Sequence, residues 1–357
     1  MTIIAHFEIA FKQFLDEQGK LHNSLPTWAE DGSILQELYR IMVRTRIFDK
    51  KAIALQRTGR MGTYAPINGQ EAISTAIGHV MHKEDVLIPY YRDYAAQLQR
   101  GVKMAEILAY WGGDERGSQF NCNSGDLPIC VPIASQCLHA TGVAFAFKYR
   151  KQPRVAVTCI GEGGTSEGDF YEAINVAGAW HLPVVFVVNN NRWAISVPLA
   201  KQTACKTIAQ KAIAAGFEGI QVDGNDVIAC RDVVMRAIEK ARQGGGPTLI
   251  EALTYRLCDH TTADDATRYQ PACEVEEAQL KEPIARLKNF LIERKLWNDD
   301  QEKQLIDESN EFVQQQVDDY LKKSPQTVNT VFDYHYAELP DYLVEQRAIA
   351  MEEATNA

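Results

Sequence analysis

A strand–loop–helix–strand pattern occupies the middle of the chain. An apolar run of strand length, RVAVTCI at residues 154–160, leads into a glycine-rich stretch at 161–164. Apolar residues then recur at helical spacing over 168–180, and a second apolar run, PVVFVV at 183–188, ends in three asparagines at 189–191. Both predicted strands therefore end in polar residues. In open parallel sheets, ligands bind at the carboxyl ends of the strands.

Similar patterns lie on both sides of this unit. They predict helices at 33–57, 134–149, 227–243, 280–296 and 299–323, and strands within 84–94, at 219–224 and at 247–256. Ser33 is the predicted N-cap of the first helix, and Ser166 with Asp169 forms a predicted capping box before the helix at 168–180. Strands that alternate with helices predict an α/β fold with a doubly wound, mostly parallel sheet and helical N- and C-terminal extensions.

These patterns divide the chain into three parts. Residues 1–32 show no clear periodicity and are predicted to form an N-terminal arm, while 33–275 are predicted to form a single α/β domain. Residues 276–357 are predicted to be a helical extension that packs on this domain or on a partner chain. Two polar stretches, 111–132 and 257–272, are predicted loops. Loops of that length inside compact domains are usually functional.

Composition and charge narrow the range of partners. The chain has 357 residues, of which 46% are hydrophobic and 24% charged, as in ordinary globular proteins. Its net charge of −10 argues against nucleic acid or an anionic membrane as the main partner. No apolar run reaches the length of about 18 residues that spans a bilayer. The eight cysteines lack CxxC spacing and the acidic N-terminal stretch lacks a targeting pattern, so we expect reduced thiols and a cytoplasmic location.

Glycines between a strand and a helix often bind phosphate. A dinucleotide-binding loop is a weak match here, because Thr165 and Ser166 occupy the wrong places. The following strand also ends in the asparagines at 189–191 instead of an acid that could bind a ribose. A Walker loop is excluded, since no GK[ST] sequence follows the glycines.

A magnesium–diphosphate site explains both strand ends. Mg²⁺ binds six hard oxygens, typically from one or two side chains and from phosphate groups. Glu162 and Asn191 can supply a carboxylate and an amide oxygen to one ion. Gly163 and Gly164 let a diphosphate approach the backbone, and the metal offsets the repulsion that an acidic protein would exert on it.

The spacing of these residues resembles a cofactor signature. Gly161, Glu162 and Gly163 are followed, after 26 residues, by Asn190 and Asn191, which is similar to the thiamine diphosphate signature. The same family is indicated by TYAPINGQEA (63–72), YYRDY (90–94), GGTSEGDFYEAINVAG (163–178), NNRWAIS (190–196) and YRLCDHTTADDATRY (255–269). From about residue 35 to 345 the chain resembles α chains of the thiamine-dependent decarboxylating component of 2-oxo acid dehydrogenase complexes. The likeness is greatest to the bacterial heterotetrameric pyruvate dehydrogenase type.

The resemblance implies thiamine diphosphate and Mg²⁺ as cofactors. It assigns Glu162, Asn191 and the backbone carbonyl of Trp193 as metal ligands, and the glycines Gly161, Gly163 and Gly164 as part of the cofactor site. Many members of the family have aspartate where this chain has Glu162, but glutamate also occurs there. The ligand role is therefore expected to hold.

Other implied site residues lie outside this motif. Tyr91 and Arg92 match a pair that binds the diphosphate, a role that suits the bidentate geometry of arginine. Val131 and Ile133 match positions that line the pyrimidine ring and bend the cofactor, although both could also be core residues. His260 matches a histidine that reaches the diphosphate and the active site.

Two further positions have weaker assignments. Tyr64, with Gln70 and Glu71, matches the family pattern near the substrate entrance, and the alternative for Tyr64 is simple packing. Asn189 departs from members that have a basic or longer polar residue there, so its role stays open.

The implied reaction needs a second chain. Single-chain thiamine enzymes of this kind carry two α/β domains, and this chain has room for one. The resemblance implies a β subunit that brings the pyrimidine-activating glutamate in an α₂β₂ assembly. It also implies a lipoyl-bearing acyltransferase core that accepts the acyl group after a small 2-oxo acid, pyruvate, is decarboxylated. The alternatives are a branched-chain 2-oxo acid or acetoin dehydrogenase α chain, a non-catalytic scaffold paralogue, and an NAD-binding oxidoreductase.

Overall fold

A parallel sheet organises the chain. The computed structural model describes residues 1–120, 125–333 and 335–356. In this part of the chain, six parallel strands form one sheet: β1 Ala10–Lys12, β2 Val86–Ile88, β3 Ala156–Gly161, β4 Val184–Asn190, β7 Glu218–Asp223 and β8 Thr248–Leu253. Two short strands, β5 Trp193–Ala194 and β6 Val197–Pro198, form a separate antiparallel pair.

Helices flank this sheet. They are α1 Gly32–Arg57, α2 Glu71–Val80, α3 Tyr94–Gln99, α4 Met104–Trp111, α5 Ser135–Tyr149, α6 Gly168–Ala179, α7 Leu199–Gln202, α8 Lys211–Ala214, α9 Val227–Arg242, α10 Ala272–Gln279, α11 Pro283–Glu293, α12 Asp299–Leu321, α13 Thr330–Asp333 and α14 Asp341–Asn356. Single 3₁₀ turns occur at Thr27–Glu30, Glu115–Ser118, Glu162–Ser166 and Ala266–Arg268. The strand order β1-β7-β8-β4-β3-β2, with helices on both faces, confirms the predicted α/β fold.

The apolar side chains of β4 are buried on both faces of the sheet. Val184, Phe186 and Val188 pack in a cluster with α5 and α6, whereas Val185 and Val187 pack in a cluster with α1, α2 and α9. Successive side chains of a strand point to opposite faces, so a continuous apolar run suits a strand that is covered on both sides.

The register of the central strands aligns their ends. Gly161, the last residue of β3, pairs with Asn189 near the end of β4. Asn190, the last residue of β4, pairs with Leu253 at the end of β8. The polar residues that follow these strands therefore leave the sheet on the same side, at the carboxyl ends of the strands.

Two predicted helix caps are wrong. The N-cap of α1 is Asp31, whose Oδ1 accepts a hydrogen bond from the backbone N of Ser33 at 2.9 Å. The N-cap of α6 is Glu167, without a side-chain cap, because Ser166 is the last residue of a 3₁₀ turn and lies one residue too early.

The predicted helix at 280–296 is shorter in the structure, where α11 spans Pro283–Glu293 and a separate helix, α10, ends before it at Gln279. The helix α11 begins at Pro283, and the carboxylate of Glu282 accepts hydrogen bonds from the backbone N of Ile284 and Ala285. Proline is suited to the first position of a helix, where its missing N–H costs nothing, and it cannot continue a preceding helix without losing a hydrogen bond.

Sequence patterns missed several short elements. The helices α2, α3 and α4 were not predicted, nor was β1, which lies within the expected N-terminal arm and joins the sheet edge beside β7. The chain after β1 is held by Asp226, whose Oδ2 accepts from the backbone N of Phe14 and of Leu15, each at 2.7 Å. A three-residue strand is too short for its alternation to be recognised.

The C-terminal helices differ in how they pack. Leu287 and Phe290 of α11 and Leu305 of α12 are buried in one cluster with Leu38 and Met42 of α1. By contrast, α14 buries none of its described side chains, and its exposed large apolar residues are Tyr342, Val344, Ile349 and Met351. The domain boundaries at 32 and 275 stay predictions.

The described part of the chain contains seven of the eight cysteines. Its cysteines are all free thiols, of which Cys137, Cys159 and Cys230 are buried, Cys273 is exposed and the rest are half-buried. Cys122, part of the predicted loop at 111–132, lies outside the described residues. None of the described helices combines the length and apolar character needed to cross a membrane.

Helix α6 is packed too closely for a methyl group at Gly178. A Cβ atom at this position would lie 1.9 Å from the carbonyl oxygen of Ala215. We therefore expect Gly178→Ala to lower the free energy of unfolding by about 1–3 kcal/mol, because the backbone around it must shift. Gly142→Ala in α5 is the matched control, since its Cβ would meet no atom within 4 Å. It should raise the free energy by about 0.5–1 kcal/mol through helix propensity. Urea denaturation measures both, and equal effects of the two changes would contradict the packing.

Candidate functional site

A cavity of 230 Å³ lies at the carboxyl ends of β3 and β4. Its lining contains these residues predicted from the sequence: Tyr91, Arg92, Val131, Ile133, Gly161, Glu162, Gly163, Gly164, Asn191, Trp193 and His260. It also contains residues that were not predicted: Tyr90, Cys130, Gln136, Ile160, Glu167, Ala194 and Ile195. Larger cavities exist, such as one of 710 Å³ between α1 and α12, but that one is remote from the strand ends where ligands bind in this fold.

The carboxylate of Glu162 is buried among neutral hydrogen-bond donors. The residue is 2% exposed, Oε2 accepts from the backbone N of Asn191 at 3.2 Å, and Oε1 accepts from Nε2 of Gln202 at 3.3 Å. Burial raises the pKa of Glu162 above its usual value, since a site of low dielectric disfavours the charged form. A bound cation would offset that penalty, so the position suits a metal ligand.

Asn191 and Trp193 join the same hydrogen-bond network. The Oδ1 of Asn191 accepts from the backbone N of Trp193 at 3.1 Å, and its Nδ2 donates to Oε1 of Gln70 at 2.9 Å. The carbonyl oxygen of Trp193 accepts from Nη1 of Arg256 at 3.1 Å. A carbonyl oxygen has two lone pairs, so this contact leaves acceptor capacity at Trp193.

The three predicted metal ligands are therefore brought together, with a single carboxylate among them. In the described residues, no group of three or more His, Cys, Asp and Glu side chains could hold a metal ion. A cation at this site would depend on Glu162 together with amide, carbonyl and ligand oxygens. That donor set suits Mg²⁺, which usually takes one or two carboxylates and completes its shell with water and phosphate.

Arg92 is a buried cation in the cavity wall. It is 1% exposed, and its Nη1 donates to the carbonyl oxygen of Pro66 at 2.5 Å. Its Nη2 donates to the carbonyl oxygen of His260 at 2.6 Å and lies 3.1 Å from His260 Nδ1. The Tyr91 ring lies beside it, with the centroid 5.2 Å from the guanidinium carbon. These contacts involve three of the five guanidinium N–H groups, so Arg92 keeps donors for an anion.

His260 is neutral at physiological pH in this environment. Burial, with the charges of Arg92 and Arg256, lowers the pKa of His260 to about 3, against an opposing effect of Asp264. Arginine can only donate, so the Nδ1 atom that faces Arg92 must be unprotonated, and Nε2 carries the ring proton. The imidazole therefore offers an uncharged donor.

Val131 and Ile133 form an apolar part of the wall. They are 47% and 48% exposed, so neither is a core residue. Ala134, which follows them, has a φ of 71°, a left-handed conformation that is uncommon outside glycine. This turn leads into α5, where Nε2 of Gln136 donates to the carbonyl oxygen of Cys159 at 2.9 Å.

The glycines of the loop have different reasons to be glycine. A Cβ on Gly163 would lie 2.5 Å from Cβ of Ala194, and one on Gly164 would lie 2.7 Å from Cγ1 of Ile160. Close packing of this chain therefore already explains glycine at both positions. A Cβ on Gly161 would meet no atom within 4 Å, so a side chain there would occupy open space beside the cavity.

Tyr64 lies in the core and is absent from the lining of the cavity. It is fully buried, its hydroxyl donates to Oδ1 of Asp49 at 2.9 Å, and its ring stacks on Tyr94 with centroids 5.4 Å apart. This position agrees with packing, the alternative considered for Tyr64. A contact with substrate stays a prediction.

Several residues of the site were not foreseen. Arg256 follows β8, whose carboxyl end lies at the same sheet edge, so its position in the strand pattern was a usable signal. Gln202 had no sequence signal, because α7 brings it to Glu162 through tertiary packing. By contrast, Gln70 and Asn189 are positions named from the sequence, and they lie behind the cavity wall, where Nδ2 of Asn189 donates to Oε1 of Gln70 at 3.1 Å.

Comparison with known proteins identifies the class of protein. Residues 39–329 match the family described as the dehydrogenase E1 component. This match spans most of the chain, and the chain belongs to that family.

Individual relatives are similar along nearly their whole length. A protein from Mycoplasma genitalium, named pyruvate dehydrogenase E1 component subunit alpha, is 40% identical over 338 residues, which cover 95% of this chain and 94% of that protein. Proteins with the same name from Staphylococcus aureus and Staphylococcus epidermidis are 41% and 40% identical over 343 residues, covering 95% of this chain and 92% of each relative.

The low pKa of His260 has a consequence for stability. Below the unfolded pKa, about 6.5, the unfolded chain binds a proton that the folded chain does not bind until about pH 3. Stability contributed by the neutral imidazole is therefore present above pH 6.5 and is lost as the pH falls. The unfolding free energy of the wild type should fall as the pH is lowered from 6.5 to 4. We expect His260→Gln to make this fall less steep, by up to about 1.4 kcal/mol per pH unit. Denaturant titrations of both proteins measure the two slopes. Equal slopes would contradict a neutral His260.

Proposed function

We propose that this chain is the α subunit of a 2-oxo acid dehydrogenase of the pyruvate dehydrogenase type, and that it binds Mg-thiamine diphosphate. The observation that carries the proposal is the meeting of Glu162 and Asn191 in one cavity with Arg92 and His260. Family membership and the names of the relatives support it.

Unsatisfied polar atoms at the site support the fit of a metal and a diphosphate. In the described part of the chain, the buried Oε1 atoms of Gln136 and Gln202 have no hydrogen-bond partner. Gln136 lines the cavity, and the amide nitrogen of Gln202 contacts Glu162. A hydrated cation beside Glu162 would give such acceptors a donor, since buried polar groups are normally paired.

The metal ion and the diphosphate would be held by different groups of this chain. Glu162, Asn191 and the Trp193 carbonyl would hold Mg²⁺, while the remaining N–H groups of Arg92 and the Nε2–H of His260 would donate to diphosphate oxygens. A neutral donor adds a hydrogen bond without a further buried charge. Val131 and Ile133 would pack on an apolar ring and exclude water from that side.

The cofactor and the residues of this chain would have different tasks in the reaction. Thiamine diphosphate, when bound, supplies the nucleophilic carbon and the electron sink for decarboxylation. The residues of this chain bind it, orient it and keep one wall of the site dry. His260 could also donate to the carboxylate of a 2-oxo acid through the same Nε2–H, which is uncharged at neutral pH.

Exposed apolar surface supports a partner that completes the site. The cavity of 230 Å³ is smaller than the roughly 300–1,000 Å³ of complete small-molecule sites. Three apolar residues of its lining, Val131, Ile133 and Ile195, are 47%, 48% and 54% exposed. Patches of this kind mark protein interfaces. A β subunit that covers this face would add the missing wall and the pyrimidine-activating glutamate.

The wider assembly is part of the same proposal. We infer an α₂β₂ heterotetramer that passes the acyl group to the lipoyl group of an acyltransferase core. We also propose that residues 33–275 are the cofactor-binding domain, with an N-terminal arm at 1–32 and a helical extension at 276–357. A cytoplasmic location stays a prediction.

Other functions receive less support. An NAD-binding oxidoreductase is disfavoured because β4 ends in asparagines and because the chain belongs to a different family. A scaffold paralogue would be free to lose its metal and phosphate groups, whereas Glu162, Asn191, Arg92 and His260 are all present at one cavity. A branched-chain 2-oxo acid or acetoin dehydrogenase stays the nearest alternative.

The metal site can be tested directly. In the complex with its β subunit, Glu162→Ala should weaken Mg²⁺-dependent binding of thiamine diphosphate by more than about 100-fold, beyond the loss that follows removal of an outer partner. Calorimetry at fixed Mg²⁺ concentration measures this change. Glu308→Ala, an exposed glutamate on α12, is the control and should bind as the wild type does. Unchanged affinity in Glu162→Ala would contradict the metal site.

The need for a second chain is also testable. The isolated chain should not decarboxylate 2-oxo acids, and mixing it with the β subunit should restore activity. With the mixture, pyruvate should react about 10-fold or more faster, in kcat/KM, than 3-methyl-2-oxobutanoate, since pockets discriminate added methyl groups by this order. The β subunit alone is the control. Full activity of the isolated chain would contradict the half-site, and a preference for the larger acid would indicate the branched-chain alternative.

A further inference from the structure

Two asparagine side chains at the end of β4 share one acceptor. The Oε1 atom of Gln70 accepts from Nδ2 of Asn189 at 3.1 Å and from Nδ2 of Asn191 at 2.9 Å. Gln70 is fully buried and is absent from the lining of the cavity, so it lies behind Asn191. Any action of Gln70 on a ligand in the cavity must therefore pass through Asn191.

One backbone donor determines the polarity of this network. The backbone N of Trp193 donates to Oδ1 of Asn191 at 3.1 Å, so the amide oxygen of Asn191 faces Trp193 and its NH₂ group faces Gln70. The atom of Gln70 that meets this NH₂ group must then be its oxygen. The same oxygen meets the NH₂ group of Asn189, whose Oδ1 accepts from the hydroxyl of Thr254 at 2.7 Å.

The backbone around Gln70 is fixed independently of this network. Gly69 has a φ of 90°, and a Cβ there would lie 2.5 Å from the carbonyl oxygen of Tyr255, so the turn packs tightly against the chain that follows β8. On the other side, Oε2 of Glu71 accepts from the backbone N of Gly69 at 3.1 Å, and Oε1 of Glu71 pairs with Arg46. Gln70 is therefore presented from a rigid turn.

From these contacts we infer that Gln70 is a positioning residue, which holds the amide of Asn191 with its oxygen available to the metal ion. If the Asn191 amide were reversed, its oxygen would face the oxygen of Gln70 at about the present 2.9 Å, and the acceptors would repel each other. This inference rests on the proposed Mg²⁺ site. It also gives a role to Asn189, which supports Gln70 from the other side and also donates to the Tyr90 hydroxyl at 2.9 Å.

The experiment compares three variants in the complex with the β subunit. Gln70→Met keeps the length of the side chain and removes the acceptor, and Gln70→Glu keeps an acceptor at the same place. Gln97→Met is the matched control, because Gln97 is also a buried glutamine, away from the cavity, whose amide has no hydrogen-bond partner among the described residues. Calorimetric titration of thiamine diphosphate over a series of Mg²⁺ concentrations measures metal dependence, and thermal unfolding without cofactor measures stability.

We expect Gln70→Met to raise the Mg²⁺ concentration required for binding about 10–100-fold, the usual effect of removing an outer partner of a metal ligand. Gln70→Glu should restore most of that affinity, and Gln97→Met should match the wild type. The inference is overturned if Gln70→Met binds normally, if Gln70→Glu is no better than Gln70→Met, or if Gln97→Met loses as much affinity. If the wild-type complex shows no Mg²⁺-dependent binding at all, the proposed function itself fails and takes this inference with it.

Discussion

The parallel pairing of β3 with β4 is the constraint on which the site depends. Because Gly161 lies opposite Asn189, Glu162 and Asn191 leave the sheet at one edge and come within hydrogen-bonding distance, 3.2 Å from carboxylate to backbone nitrogen. A slip of one residue would turn every side chain of β4 to the other face. Different helices pack on the two faces of the sheet, so each side chain of β4 fits only one face. The core that stabilises the sheet therefore also sets the register that brings the polar residues together.

Electrostatics in the cavity follows from burial more than from ion pairing. Burial is the main cause of the lowered pKa of His260, and Arg92 and Arg256, which approach its Nδ1 at 3.1 and 3.4 Å, lower it further, so the imidazole is neutral. Glu162 is buried beside neutral donors, and its pKa is raised for that reason. A site with a buried cation on one residue and an uncompensated carboxylate on another suits a ligand that carries both a metal and an anion. Mg-diphosphate has both features.

Successive layers of residues, from the cavity outwards, hold the site in its geometry. Close to the ligand position are Glu162 and Asn191, behind them lies Gln70, and behind Gln70 the turn at Gly69 packs against the chain after β8. Each step uses hydrogen bonds or contacts between segments that are far apart in sequence. The exposed apolar residues in the cavity lining, Val131, Ile133 and Ile195, would be covered by the proposed β subunit, which would complete the wall that this chain leaves open.

The sequence by itself determined which residues could do the chemistry. The glycine and asparagine spacing, read beside the apolar strand runs, predicted that Glu162 and Asn191 meet at the carboxyl ends of the strands, and the family resemblance added Arg92 and His260. In the structure all four line one cavity. Local patterns carry that information because strands and helices have fixed periods. Tertiary structure alone decided that Tyr64 lies in the core, that β1 joins the sheet, and that Gln70 supports Asn191, 121 residues away. Hydrogen bonds across such separations depend on how the elements pack, and no local period records them.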